Sequence, residues 1–178
     1  MECTLEAFKA EVKRISTPPP PEKVVEKKSP VFGNDEHLTI FIHSGIEDMP
    51  QAELLAAQLT ELNCTVFTTL TTGEPESIRN DLENNLLDCD VLIVFYGQIP
   101  PDWVRAQFRT YPRIMPKRNR SDPPRPPLKA MAICNGEPIQ KPAHGINAPG
   151  LQFIDLANVT SREQLAQWIE QLRSGGAQ

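Results

Sequence analysis

No glycine-rich phosphate signature occurs in the 178 residues: neither G-x-G-x-x-G nor G-x-x-x-x-G-K-[ST] is present. A tightly held dinucleotide or nucleoside triphosphate therefore has no motif to cradle it. No apolar run approaches the roughly 18 residues that a membrane span requires. The four cysteines, Cys3, Cys64, Cys89 and Cys134, include no C-x-x-C pair, and three lie in or beside apolar segments. They read as reduced, buried thiols. His37, His43 and His144 are scattered, which leaves a zinc site without spacing support, and no metal is expected. The net charge of −5 and pI near 5.3 give the whole molecule no electrostatic footprint for nucleic acid. Met1-Glu2-Cys3-Thr4 begins with an acid where a secretory signal has a basic region, so the expected location is cytoplasmic. Internal repeats are absent.

What is present divides the chain. Leu5, Phe8, Val12 and Ile15 form one apolar stripe, predicting a short amphipathic helix within residues 1–16. Such a helix is marginal alone, and its stripe calls for a partner. Residues 17–36 open with Pro18-Pro19-Pro20-Pro21 and continue as a charged stretch, the pattern of a semi-rigid, solvated tether.

From residue 37 to 174 the pattern becomes that of a domain, followed by a tail over 175–178. Leu38 to His43 is a short, nearly continuous apolar strand. Asp48-Met49-Pro50 then opens a helix with proline in its first turn, and Leu55, Leu59 and Leu62 mark its buried face. Cys64 to Leu70 reads as a second strand, rich in β-branched residues. A loop through Thr72, Gly73 and Glu74 leads to a helix with Ile78, Leu82 and Leu86 inward. Val91 to Tyr96 is the strongest strand, and its unbroken hydrophobicity argues for the sheet centre. A helix follows with Trp103, Val104, Phe108 and Tyr111. Order is expected to weaken from Pro112 to Pro127, where basic residues alternate with prolines. Leu128 to Cys134 and Leu151 to Leu156 complete the strands, separated by a long Gly/Pro/Asn loop. The last helix opens on a capping-box pattern, Thr160 with Glu163, and carries Leu165, Trp168, Ile169 and Leu172 on one face.

Five buried strands alternating with helices predict a doubly wound α/β domain with a parallel sheet. Right-handed crossovers reduce the topologies, and the flavodoxin-like order 2-1-3-4-5 is the simplest. Any ligand is then expected at the crevice between the ends of the first and third strands. The residues there are His43-Ser44-Gly45 and Tyr96-Gly97-Gln98, with the helix from Asp102 beside them.

Phe41-Ile42-His43-Ser44, the acid Asp48, a leucine-rich helix and a strand ending in Val66-Phe67 resemble the opening of TIR (Toll/interleukin-1 receptor) domains. Gly73, then Ile78 and a helix ending before Cys89-Asp90-Val91, resembles that family's BB loop and second helix. Asp102-Trp103-Val104-Arg105-Ala106-Gln107 resembles the segment after the family's central strand, which carries a tryptophan followed by Cys or Val. The resemblance covers roughly residues 38–110. It departs at Tyr96-Gly97-Gln98, where many TIR domains have a serine, and at Gln107, where NAD-cleaving members have glutamate four residues after the tryptophan.

What this resemblance implies is twofold. As a bacterial-type TIR-like module, within a larger signalling or defence protein, the domain would associate with like domains or a signalling partner. Thr72, Gly73 and Glu74 would then form the interaction loop. Ser44, Gly45, Gly97, Trp103 and Gln107 would line a ligand site able to take NAD, with no cofactor required. The alternative is an NAD glycohydrolase. In such enzymes a glutamate stabilises positive charge developing at the anomeric carbon; Gln107 matches its shape but not its charge. A third class, a receiver-like domain, would need paired acids where His43-Ser44 stands.

Two further readings concern isolated residues. Asp48 and Asp102 read as helix N-terminal acids favourable to the dipole, leaving Glu47 as the spare acid near the strand ends. His43 and Ser44, adjacent on a strand, point to opposite faces and cannot act as base and nucleophile together.

Overall fold

The computed structural model describes residues 37–156 and 161–175. The 1–16 helix, the 17–36 tether and the Thr160 cap lie outside those residues. Five parallel strands form one sheet: β1 (Leu38–His43), β2 (Cys64–Thr68), β3 (Val91–Tyr96), β4 (Ala130–Asn135) and β5 (Leu151–Asp155), in the order β2-β1-β3-β4-β5. The helices are α1 (Met49–Glu61), α2 (Pro75–Asp88), α3 (Pro101–Ile114) and α4 (Ser161–Arg173), with short 3-10 turns at Ile46–Asp48 and Met115–Arg120. The expected α/β class and strand order are those observed. β2 ends at Thr68, two residues earlier than its β-branched composition suggests.

Strand alternation sorts the core into two layers. On one face, Ile40, Ile42, Ile93 and Phe95 pack with Leu55 and Leu59 of α1 and with Leu165 and Ile169 of α4. On the other, Phe41, Leu92, Val94 and Tyr96 pack with Leu86 of α2 and with Val104 and Tyr111 of α3. All six side chains of β3 are buried, which places this strand between two apolar layers. Cys64, Cys89 and Cys134 are buried free thiols, as expected. Burial pushes all three pKa values up, that of Cys89 to about 12, so none is a ready nucleophile.

The segment after α3 corrects the expected loss of order. Pro112 lies inside α3, and the 3-10 turn carries the chain on to Arg120. Arg118 is buried, only 3% exposed. Its guanidinium donates to the carbonyls of Leu86 (2.8 Å) and Cys89 (3.0 Å) at the end of α2, and to Pro126 (2.7 and 3.0 Å). A basic run suggests solvation, but the last carbonyls of a helix need donors, and a guanidinium has five. Lys117 and Arg125 pair with Glu83 and Asp88, on α2 as well.

The connection from β4 to β5 is unusual for a parallel pair. Residues 136–150 contain no helix, although such crossovers usually carry one. A strap of chain lies over the strand ends instead.

Candidate functional site

At the carboxyl ends of β1 and β3, the anticipated crevice is filled by the protein's own groups. Asp48 is fully buried, 0% exposed. Its side chain makes no capping bond to α1. One oxygen accepts the N–H of Gln98 at 2.5 Å; the other accepts those of Gly97 (2.8 Å) and Ile99 (3.4 Å). The expectation of a simple helix N-terminal acid is thereby corrected. Three successive N–H groups form an anion-binding concavity, and a carboxylate three residues past Gly45 occupies it. Asp102, by contrast, does lie in the first turn of α3; its 85% exposed side chain pairs with Arg105 at 3.2 Å.

The two glycines serve this closure. A Cβ on Gly97 would stand 2.5 Å from an Asp48 oxygen and 2.9 Å from the carbonyl of Glu137. On Gly45 it would meet the Ile99 side chain at 2.4 Å. The close approach anticipated for a ligand is made here by Asp48 and Ile99. Ser44, also buried, donates its N–H to Thr69 Oγ1 at 3.0 Å and turns its hydroxyl toward Met49.

His43 points the other way, into the α3 face. Its Nδ1 shares a 2.7 Å hydrogen bond with the Tyr111 hydroxyl, and the edge of Trp103 packs against it at 5.0 Å. The tryptophan thus sits half-buried as a wall of this aromatic cluster. Burial lowers the His43 pKa from 6.5 to about 4. The sign follows directly: between those values the unfolded chain binds a proton that the folded protein refuses. Stability therefore falls as pH drops from 6.5 to 4, by about 3 kcal/mol, and levels off below. We expect His43→Asn, which keeps an amide near the Nδ1 position, to remove this slope from urea unfolding curves recorded across that range.

Gln107 lies half-buried on α3, one turn beyond Trp103 and one turn before Tyr111. Thr72, Gly73 and Glu74 are exposed. Gly73 adopts φ +126° in open space, a conformation that asks for glycine, so the loop turns sharply while standing clear of the domain. The structure thus gathers Ser44, Gly45 and Gly97 at one junction. It sets Trp103 and Gln107 on the neighbouring helix and leaves the 72–74 loop apart. Glu47 is exposed beside the junction. Among the described residues no cluster of His, Cys, Asp or Glu is arranged to hold a metal, and no helix is long and apolar enough to cross a membrane.

A second feature was not read from the sequence. A cleft of about 230 Å³ opens under the 136–150 strap at the ends of β3, β4 and β5. Lys141 reaches its floor, donating to the carbonyls of Tyr96 and of Gly136 (2.8 Å) with its ammonium 4.4 Å from the Tyr96 ring centre. The Tyr96 hydroxyl donates back to Pro142 at 2.5 Å, pinning the strap. His144 Nδ1 accepts the N–H of Ile146 at 3.1 Å, its ring stacks on Phe153 at 5.6 Å, and its carbonyl accepts from Arg105 at 2.7 Å. The signal for this cleft was the length of the loop itself, since helix-free connections of about 12–15 residues or more are uncommon and often functional.

No family model matches the sequence, and no curated protein does. Among solved structures the chain is similar to a 2-deoxyribosyltransferase from the psychrotolerant bacterium Bacillus psychrosaccharolyticus. The identity is 16% and the TM-score 0.34, over 57% of this chain and 77% of that one.

Proposed function

We propose that the domain is an assembly module of TIR type, which associates with further copies of itself and does not turn over NAD. The observation that carries this reading is the filled crevice: Asp48 and Ile99 occupy the junction where a sheet of this order seats ligands. The resemblance adds that the position of a catalytic acid on α3 holds the neutral Gln107.

The open edge of the sheet supports the association. Among the described residues, strand β2 has one neighbour, β1, so its outer backbone groups lack strand partners there, and such an edge is a template for another chain. Phe67 (46% exposed) and Leu70 (38%) stand there, next to the projecting 72–74 loop. A second copy covering this edge would bury the aromatic ring and continue the backbone pairing.

Sedimentation over a rising concentration series tests the assembly, and NAD loss measured in the same samples tests the chemistry. The native domain is expected to self-associate and to leave NAD intact. Phe67→Lys, at an exposed position, should keep its melting temperature and weaken association at least about tenfold, as loss of an aromatic anchor does. A domain that stays monomeric throughout would refute the assembly. Turnover by the native domain would establish the glycohydrolase reading instead, and turnover gained only by Gln107→Glu would support loss of the acid at that position.

A further inference from the structure

We infer that the arginine-bordered groove at the end of α3 docks an acidic peptide segment of a partner protein, anchored by one large apolar side chain. The groove shares no residue with the Asp48 junction, and this inference does not depend on the assembly reading.

Charge marks this surface first. Six basic residues lie between 109 and 125, against a single acid in the same stretch, Asp122. Lys117 and Arg125 pair with Glu83 and Asp88 of α2. Arg118 lines the groove at 3% exposure, and its guanidinium is spent on neutral carbonyls, which leave its charge uncancelled. Arg109, Arg113 and Arg120 are exposed, and among the described residues none of the three has an ion-pair partner. Positive charge is thus in local excess on a chain whose net charge is −5. Such a surplus selects an anionic partner. Arginine in particular binds carboxylates through two parallel N–H groups.

Beside these arginines the surface is concave and apolar. A groove of about 470 Å³ is lined by Pro112, Pro116 and Pro127, together with the half-buried Met115 and Leu128. Arg113 and Arg120 directly follow two of its lining residues, Pro112 and Asn119, so the cations border the hollow. Proline rings have no rotamer freedom to lose, which leaves these walls rigid before a ligand arrives. Methionine adapts to the shape that enters. This combination decides among anionic partners. A membrane surface calls for apolar side chains that project into it, whereas Met115 and Leu128 are half-buried in a hollow. A single nucleic-acid strand calls for an aromatic platform, and none of the lining residues is aromatic. An acidic peptide satisfies both features: its carboxylates meet the arginines while one large apolar side chain fills the groove.

The test selects a display library of random dodecapeptides against the full chain, then titrates the enriched peptides with a fluorescent label. They are expected to carry Asp or Glu on both sides of a large apolar residue and to bind less tightly as salt rises. Arg113→Glu/Arg120→Glu, at two exposed positions, should weaken binding at least about tenfold with little change in melting temperature. Arg113→Gln/Arg120→Gln removes the charges without adding repulsion, which guards against a disturbed fold, and should cost at least about threefold. Serine in place of the peptide's apolar residue should cost at least as much. No enrichment, enrichment without acidic bias, or equal binding by both variants would overturn the inference. Peptide binding lost in Phe67→Lys would place the peptide on the β2 edge and overturn the groove. Anionic phospholipid vesicles or oligouridylate that bind through the same arginines, where no peptide does, would reassign the surface to a membrane or to RNA.

Discussion

Replacing Asp48 by alanine is expected to lower the unfolding free energy by about 4 kcal/mol, read as a shift of the urea midpoint at constant slope. The native carboxylate is fully buried and satisfies three consecutive N–H groups. Truncation leaves those donors without an acceptor in a space into which water must be drawn. Each orphaned donor costs about 1–3 kcal/mol, partly recovered by the relief of desolvating the charge. Asp48→Asn separates shape from charge. It keeps one carbonyl oxygen but turns an NH2 group toward N–H donors, so it should recover less than half of the loss. A change below 1 kcal/mol in the alanine variant would show that the 97–99 loop holds its course unaided. The same variant opens the junction, so any small anion that then protects the domain against unfolding would be seated on the freed N–H groups.

Arg118→Ala is the second large effect, about 3–4 kcal/mol by the same measurement. Here the groups left behind are carbonyls of Leu86, Cys89 and Pro126, and the cavity of a buried side chain adds to the loss. Arg118→Lys should restore little, because one ammonium cannot reach carbonyls arranged around a planar fork. Exposed neighbours give the control. Arg120→Ala, a few residues away on the same turn, should change stability by less than about 0.5 kcal/mol. Equal losses at 118 and 120 would indicate a general electrostatic effect in place of a capped helix end.

The sheet was legible because its signals are local and redundant. Val91 to Tyr96 could be placed at the centre since a strand covered on both faces must be apolar throughout, and parallel crossovers of fixed hand leave few orders open. The leucines of α1 and the Leu165–Leu172 face of α4 follow from helical spacing alone. Individual polar residues were not legible in the same way. An aspartate before Met-Pro has the composition of a helix start whether it caps that helix or reaches across to Gly97. A lone arginine in a basic, proline-rich run carries no mark of burial. Lys141 and His144 gain their setting from Tyr96, which is distant in sequence. Each of these roles is fixed by a contact with another part of the fold, and no periodicity encodes it.

The helix-free passage from β4 to β5 also sets how the molecule comes apart. On the α2/α3 side, Phe153 of β5 is 54% exposed and stacks on His144 of the strap. β3, by comparison, lies beneath two complete apolar layers. Amide protons of β1 and β3 should therefore wait for global unfolding before they exchange. Those of β5 have a cheaper route, through detachment of the strap and the edge strand while the remaining four strands stay paired. The domain is thus hinged in energy even though its sheet is continuous, and its C-terminal margin is the part that opens first.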